Sequence, residues 1–244
     1  MGLLRGAGIA ICISLEALFF GYRLPLRRAD FGRQLMNVGV RCFLVASIVA
    51  FFTGMILALQ TGIALKGYGQ EILVGSIVVQ TMCREMGPFM TALILAAAIG
   101  SAYAAEIGTM KVSEEVSALE LMSINPVEFL VTPRMFALLI MCPILTIYTD
   151  VLGTLGGMLV SDTQLGVFHT VYYTKAIESL QSKDVYVGLL KSLIFGYVIG
   201  TVSAYRGFST ENGAVGVGQA ARKTVVTSFL FILIIGYFVT RLFY

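Results

Sequence analysis

Gln80-Thr-Met-Cys-Arg84-Glu85-Met-Gly87-Pro88-Phe-Met-Thr91 sets an adjacent arginine and glutamate inside a stretch that is otherwise almost wholly apolar. An ionisable group near the centre of a bilayer costs about 3 kcal/mol or more, and it faces a cavity or a partner. Neighbours at i and i+1 on a helix point about 100° apart, so Arg84 and Glu85 do not simply neutralise each other. At least one of them needs a partner elsewhere, a ligand or water. Gly87-Pro88, just after the pair, disrupts regular helix. A structural charge at a helix–helix contact is the plainer use of such a pair, and a ligand path is the more specific one.

Working outward, 57% of the 244 residues are hydrophobic and 13% are charged, against about 25% charged in soluble domains. With a mean hydropathy of +0.87, the chain reads as an all-α polytopic membrane protein, one domain over residues 1–244. The net charge of +3 gives no reason to expect nucleic acid. Cys12, Cys42, Cys83 and Cys142 fall in apolar segments without CxxC spacing, so buried free thiols are expected. His169 stands alone, which excludes a multi-histidine metal centre, and no cofactor is expected. The apolar run after Arg5 contains Glu16 and leads into Tyr22-Arg23, unlike a cleavable signal peptide.

Residues 1–36 suit a helix lying in the interface, because the apolar part is short and a basic block of Arg23, Arg27, Arg28 and Arg33 follows it. Five spans are expected beyond it, at about 38–65, 71–105, 130–160, 186–205 and 224–243. Gly54 in the first allows close helix approach. The second exceeds the roughly 20 residues a span needs, so Gly87-Pro88 should kink or break it. The third should end at the glycine-rich Gly153-Thr-Leu-Gly156-Gly157.

With the N-terminus inside, the inner segments hold Arg5, Arg23, Arg27, Arg28, Arg33, Lys111, Arg134, Arg206, Arg222 and Lys223. The outer ones hold Lys66, Lys175, Lys183, Lys191 and Arg241, and this imbalance favours N-in and C-out. Residues 162–184 read as an outer connection, long enough for a short amphipathic helix but expected to be a plain loop. On the inner side, residues 106–126 carry an apolar stripe of Val112, Val116, Leu119 and Met122. Glu114, Glu115 and Glu120 stay polar, Ser113 is placed to cap, and Pro126 stops the helix. A short amphipathic helix between two spans either docks a partner or packs on its own bundle.

Absent motifs narrow the class. There is no GxxxxGK[ST] phosphate loop, GxSxG or HExxH. Gly213-Ala-Val-Gly216-Val-Gly218 imitates a dinucleotide fingerprint but lacks the preceding strand, and it reads as a flexible turn before Arg222-Lys223. No catalytic residue is expected.

Longer strings are more specific. Phe52-Thr-Gly-Met-Ile-Leu-Ala-Leu-Gln60, Arg84-Glu-Met-Gly-Pro-Phe-Met-Thr-Ala92 and Ala104-Ala-Glu-Ile-Gly-Thr-Met-Lys-Val-Ser-Glu-Glu-Val-Ser-Ala-Leu-Glu120 resemble the MlaE-type permease family. Asn125-Pro126, Leu130-Val-Thr-Pro133-Arg134, Lys191 with Phe195-Gly196, and Gly213 through Val226 extend the likeness over roughly residues 30–243. The resemblance implies an interfacial helix plus five transmembrane helices in the inner membrane of a diderm bacterium. It implies a dimer of two permease copies, a separate cytoplasmic ABC ATPase that binds the ATP, and a periplasmic MCE-domain protein. The implied cargo is phospholipid moved between inner and outer membranes, supporting outer-membrane lipid asymmetry. Carried onto this sequence, the resemblance makes 106–126 a coupling helix whose ATPase-facing residues are Glu114, Glu115, Leu119, Glu120 and Met122. It puts Arg84 and Glu85 on the lipid path, with Gln60 as a further candidate.

Two departures stand out. Ala97-Ala98 replaces the family's usual Gly-Arg, and Gly236 stands where an acidic residue is common. If those charges normally pair, their joint loss is a neutral exchange. A non-transporting membrane scaffold, or an intramembrane enzyme with Glu85 or Glu106 as base, are the readings from other classes.

Overall fold

The computed structural model describes residues 2–211 and 213–244, the side chains of residues 2–5 and 24–27 excepted. Arg5 and Arg27, counted above for orientation, lie outside the described side chains. Among the described residues every regular element is helical: α1 Gly2–Phe19, α2 Arg28–Lys66, α3 Val74–Thr81, α4 Gly87–Leu95 and α5 Ser101–Val112, followed by α6 Glu115–Leu121, α7 Thr132–Gln164, α8 His169–Ser179, α9 Ser182–Phe208 and α10 Gly213–Phe243. Segments Gly6–Arg23, Arg28–Lys66, Glu71–Val112, Val127–Gln164, Ser182–Phe208 and Gly213–Phe243 are each long and apolar enough to cross a membrane. The five expected spans are therefore present, and the N-terminal segment also meets the criterion.

The exposed apolar surface has the pattern a lipid solvent demands. On α7, Ile140, Ile144, Ile147, Val151 and Leu155 follow one another at steps of three or four and are all exposed. In water such a stripe would be a liability, whereas in hydrocarbon it is the ordinary outer face of a span.

Cα packing separates two compact units. One holds residues 2–42, Ala92–Met141 and Leu193–Ile235; the other holds Phe43–Thr91, Cys142–Ser192 and Gly236–Tyr244. In the first, Ala17, Ile107, Val131, Met135 and Ala204 form a buried core flanked by Ile13, Tyr197 and Phe208. α1 is bound to it by polar contacts as well: Tyr197 OH donates to Ser14 Oγ at 2.7 Å, and Asn125 Nδ2 donates to Glu16 Oε1 at 2.7 Å.

The second unit is built on close backbone approach. A Cβ at Gly54 would lie 1.8 Å from Gly153 O, and one at Gly156 would lie 2.3 Å from Phe51 O, so α2 and α7 touch main chain to main chain. Gly153, Gly156 and Gly157 are thus contact residues inside α7, which continues to Gln164 instead of ending there. Segment 162–184 is not a plain loop. Its centre is α8, held by the buried Tyr172 and Ala176 in a core with Ala58, Val74, Val78 and Met82.

Three further expectations need correction. Gly87-Pro88 does not break the second span. The chain relaxes before it through a π-helical turn at Met82–Met86 and again at Ala96–Gly100, and the run stays helical from Glu71 to Val112. Gly213–Gly218 is not a turn: α10 begins at Gly213, which takes a left-handed φ of 63° as its only concession. The cysteines are free thiols as expected, but only Cys42, Cys83 and Cys142 are buried, and Cys12 is exposed.

Candidate functional site: an intramembrane charge cluster and a short bridging helix

The π turn at Met82–Met86 decides where the two charges point. In an α-helix Arg84 O would accept the N–H of residue 88, but that residue is Pro88 and has none. Lys191 Nζ fills the vacancy, donating to Arg84 O at 2.8 Å. It also donates to Glu85 Oε1 at 2.6 Å and to Thr240 Oγ1 at 2.8 Å. Its three protons are thereby placed, which is the condition for an ammonium whose side chain is only 1% exposed.

Arg84 makes a separate pair. Its Nε and Nη2 donate to the two oxygens of Asp184 at 2.7 and 3.1 Å. This fork is among the strongest geometries available to an ion pair. Asp184 is fully buried, whereas 29% of the Arg84 side chain is exposed. Tyr244 closes the pair from the far side, donating its hydroxyl to Asp184 Oδ1 while its ring lies 4.6 Å below the guanidinium and 4.7 Å from Lys183 Nζ. Burial, then the hydrogen bond to Asp184, push the Tyr244 phenol up to about 12.

α9 supplies the partners at one face. Asp184, Gly188 and Lys191 fall at i, i+4 and i+7. Gly188 is essential to that face, since a Cβ there would meet Cys83 O at 2.1 Å. The bare backbone lets α9 press against the π turn, so one of its partners meets Arg84 and the other Glu85. Asp150 of α7 lies nearby, against Gly87, with its Oδ1 buried and without a hydrogen-bond partner.

The predicted pair is therefore in the cluster, and its two members pair elsewhere, as the 100° between helix neighbours requires. Each charge has its own counter-ion from α9. From sequence, Asp184 falls in the outer connection 162–184 and Lys191 among the outer basic residues, and neither points to the site. Their seven-residue spacing was the signal available. Thr240, Tyr244 and Asp150 carried no local signal at all. Gln60 is exposed on α2, and among the described residues the cluster's hydrogen bonds do not include it. Gly236 stands one turn before Thr240, whose hydroxyl reaches Glu85 Oε1 at 2.7 Å. Among the described residues no group of three or more His, Cys, Asp or Glu could hold a metal ion.

The second candidate is α6, shorter than the segment 106–126 that suggested it. Ser113 does not cap it. Glu114 is the cap residue, in the left-handed region at φ 62°, and Ser113 Oγ donates instead to Glu115 Oε1 at 2.9 Å. Of the expected stripe only Val116 is buried; Leu119 is half-buried, and Val112 and Met122 are exposed. Leu121, off the stripe, is 88% exposed. Glu114, Glu115 and Glu120 are exposed too, so α6 presents acids and two large apolar side chains together. Beside α6 lies an open cleft of about 560 Å³ lined by Glu16, Lys111, Val116, Glu120, Asn125 and Phe208, among others.

Known proteins are similar to this sequence along most of its length. The profile of the family described as Permease MlaE matches residues 31–242. A probable ABC transporter permease protein of Rickettsia prowazekii is 37% identical over 240 residues, 98% of this chain and 93% of the relative. The MlaE permease of an intermembrane phospholipid transport system in Haemophilus influenzae is 32% identical, covering 86% of this chain and 81% of its own. The chloroplastic protein TRIGALACTOSYLDIACYLGLYCEROL 1 of Arabidopsis thaliana is 30% identical over 87% of this chain and 61% of its own length. An all-helical membrane permease with this coverage has one home: the chain belongs to the MlaE permease family.

Proposed function

We propose that the chain is the non-catalytic membrane subunit of an ABC transporter that moves phospholipid or a related lipid. It would work between the inner membrane of a diderm bacterium and a periplasmic MCE-domain protein. A separate cytoplasmic ATPase supplies the energy, two copies of this chain face each other, and α1 lies in the interface at the N-terminal, cytoplasmic side. The C-terminus is then periplasmic.

One observation carries the reading. Two ion pairs sit in an otherwise apolar span, and each keeps one member partly open: Arg84 at 29% and Glu85 at 39%. Complete enclosure would cost each charge its remaining hydration, and the open member of each pair keeps a face that can exchange water for a ligand. An arginine left open beside apolar surface suits an amphiphile with an anionic head: Asp184 takes Nε and one Nη2 proton, and the remaining guanidinium N–H groups can donate to a phosphate. The relatives named above support the lipid class, since one carries phospholipid transport in its name. On α6, the exposed Leu121 and Met122 among Glu114, Glu115 and Glu120 are the docking face for the ATPase. Movement follows by population shift, with ATP-driven displacement of α6 biasing the lipid site between open and closed arrangements.

Mass spectrometry of the gently solubilised native complex tests the reading. An ATPase and an MCE-domain protein in stoichiometric amounts, with retained phospholipid, is the expected result. The chain alone with only bulk membrane lipid favours the scaffold reading and removes the basis for α6 as a coupling element.

A further inference from the structure

We infer that Asn125 and Glu16 form a latch through which displacement of α6 is passed to α1, making Asn125 a positioning residue of the transport cycle. The inference rests on the transporter reading above.

The geometry is specific. Asn125 lies between α6 and the π turn Val127–Val131 that opens α7. Its side chain is used at both ends. Oδ1 accepts Val127 N at 2.8 Å and Glu128 N at 3.4 Å, capping the free amides of the next helix. Nδ2 donates to Glu16 Oε1 at 2.7 Å, a bond to a carboxyl oxygen on α1. The same stretch is fastened twice more: Arg23 Nη1 reaches Glu128 Oε2 at 3.1 Å, and Thr132 Oγ1 lies 3.4 Å from Ala17 O. α1 is thus tied to the exit of α6.

α6 in turn is bounded by left-handed backbone at both ends. Glu114 at φ 62° and Ser123 at φ 60° are the non-glycine residues with positive φ among those described, and they bracket it closely. Left-handed backbone at ordinary residues persists where surroundings over-determine it, and it gathers at switch regions. The open cleft between α6 and Glu16, Asn125 and Phe208 leaves room for the short helix to move. A push on α6 bends the chain at Ser123 and pulls Asn125, which is the point anchored to α1.

Asn125→Asp separates capping from latching. The aspartate still accepts the two amides, but it sets a carboxylate against Glu16. Adding Glu16→Gln restores a donor opposite an acceptor, with the direction of the bond reversed. In the full complex reconstituted in proteoliposomes, lipid moved and ATP hydrolysed are measured together, with hydrogen exchange of α1 amides in parallel. Asn125→Asp is expected to lower lipid moved per ATP by about tenfold, the scale of a lost hydrogen bond, with faster exchange in α1 and unchanged assembly. The double variant should recover both. An unchanged ratio in Asn125→Asp, or no recovery in the double variant, overturns the latch. If the wild-type complex moves no lipid, the transporter reading fails, and exchange alone decides: α1 amides indifferent to Asn125→Asp refute the latch.

Discussion

The Lys191–Glu85 pair should respond asymmetrically to loss of its two members. Lys191 is 1% exposed and has three acceptors, whereas 39% of the Glu85 side chain is exposed. Glu85→Gln leaves a buried ammonium with Arg84 O, Thr240 Oγ1 and an amide oxygen, but with no counter-charge on its own side. Removing one partner of a buried pair costs about 3–5 kcal/mol. The retained acceptors place this case near 3. Lys191→Met fills similar volume and leaves a carboxylate that can still be hydrated, together with an unpaired Arg84 carbonyl, so about 1–2 kcal/mol is expected. The double variant removes both charges and should lie within about 1 kcal/mol of the wild type. The cycle then gives a coupling of roughly 4 kcal/mol, above the usual range for contacting residues because one buried charge is common to both single losses. Unfolding free energies in mixed micelles measure all four corners. A Lys191→Met variant as damaging as Glu85→Gln, or additive single effects, would show that burial does not govern this pair.

Gly54→Ala should destabilise by about 1–3 kcal/mol or prevent assembly, because its Cβ would overlap Gly153 O. Gly32→Ala is the control: a Cβ there meets nothing within 4 Å, and equal losses would show that helix approach is not the cause. Asp150→Asn should leave stability unchanged or higher, since Oδ1 has no hydrogen bond to lose; a loss above about 2 kcal/mol in unfolding measurements would reveal a buried partner for the charge. Leu121→Asp alters a side chain that is 88% exposed, so the melting temperature should hold while ATPase co-purification falls at least several-fold; retained ATPase would dismiss Leu121 from the docking face.

The apolar spans were legible because they are long and the solvent they imply is hydrocarbon. Composition alone separates such segments from loops, and the five expected spans are all helical. Their ends were not legible in the same way. α2 begins at Arg28 and α10 at Gly213, before the apolar stretch in each case, since backbone hydrogen bonding continues a helix past the last apolar side chain. The Gly87-Pro88 disruption was anticipated, but its form was not. A proline deletes one donor, and whether the chain answers with a kink or a π turn depends on what lies opposite. Here Lys191, 107 positions beyond Arg84, donates to Arg84 O.

The same distance in sequence explains what was missed at the charge cluster. That Arg84 and Glu85 cannot serve each other follows from helix geometry, so the need for outside partners could be stated from residues 80–91 alone. Naming them could not, because Asp184 looks like any polar residue near a helix start and Lys191 like any basic residue near a membrane surface. Only Gly188 between them hints at the answer. A glycine at i+4 and a lysine at i+7 from an acid describe a helix face that is charged at both ends and bare in the middle. Such a face suits close contact with a backbone that has an orphaned carbonyl to offer. Pro88 creates that carbonyl. The two unusual features, a glycine in a span and a proline after a charge pair, are thus two halves of one contact, and each is interpretable only beside the other.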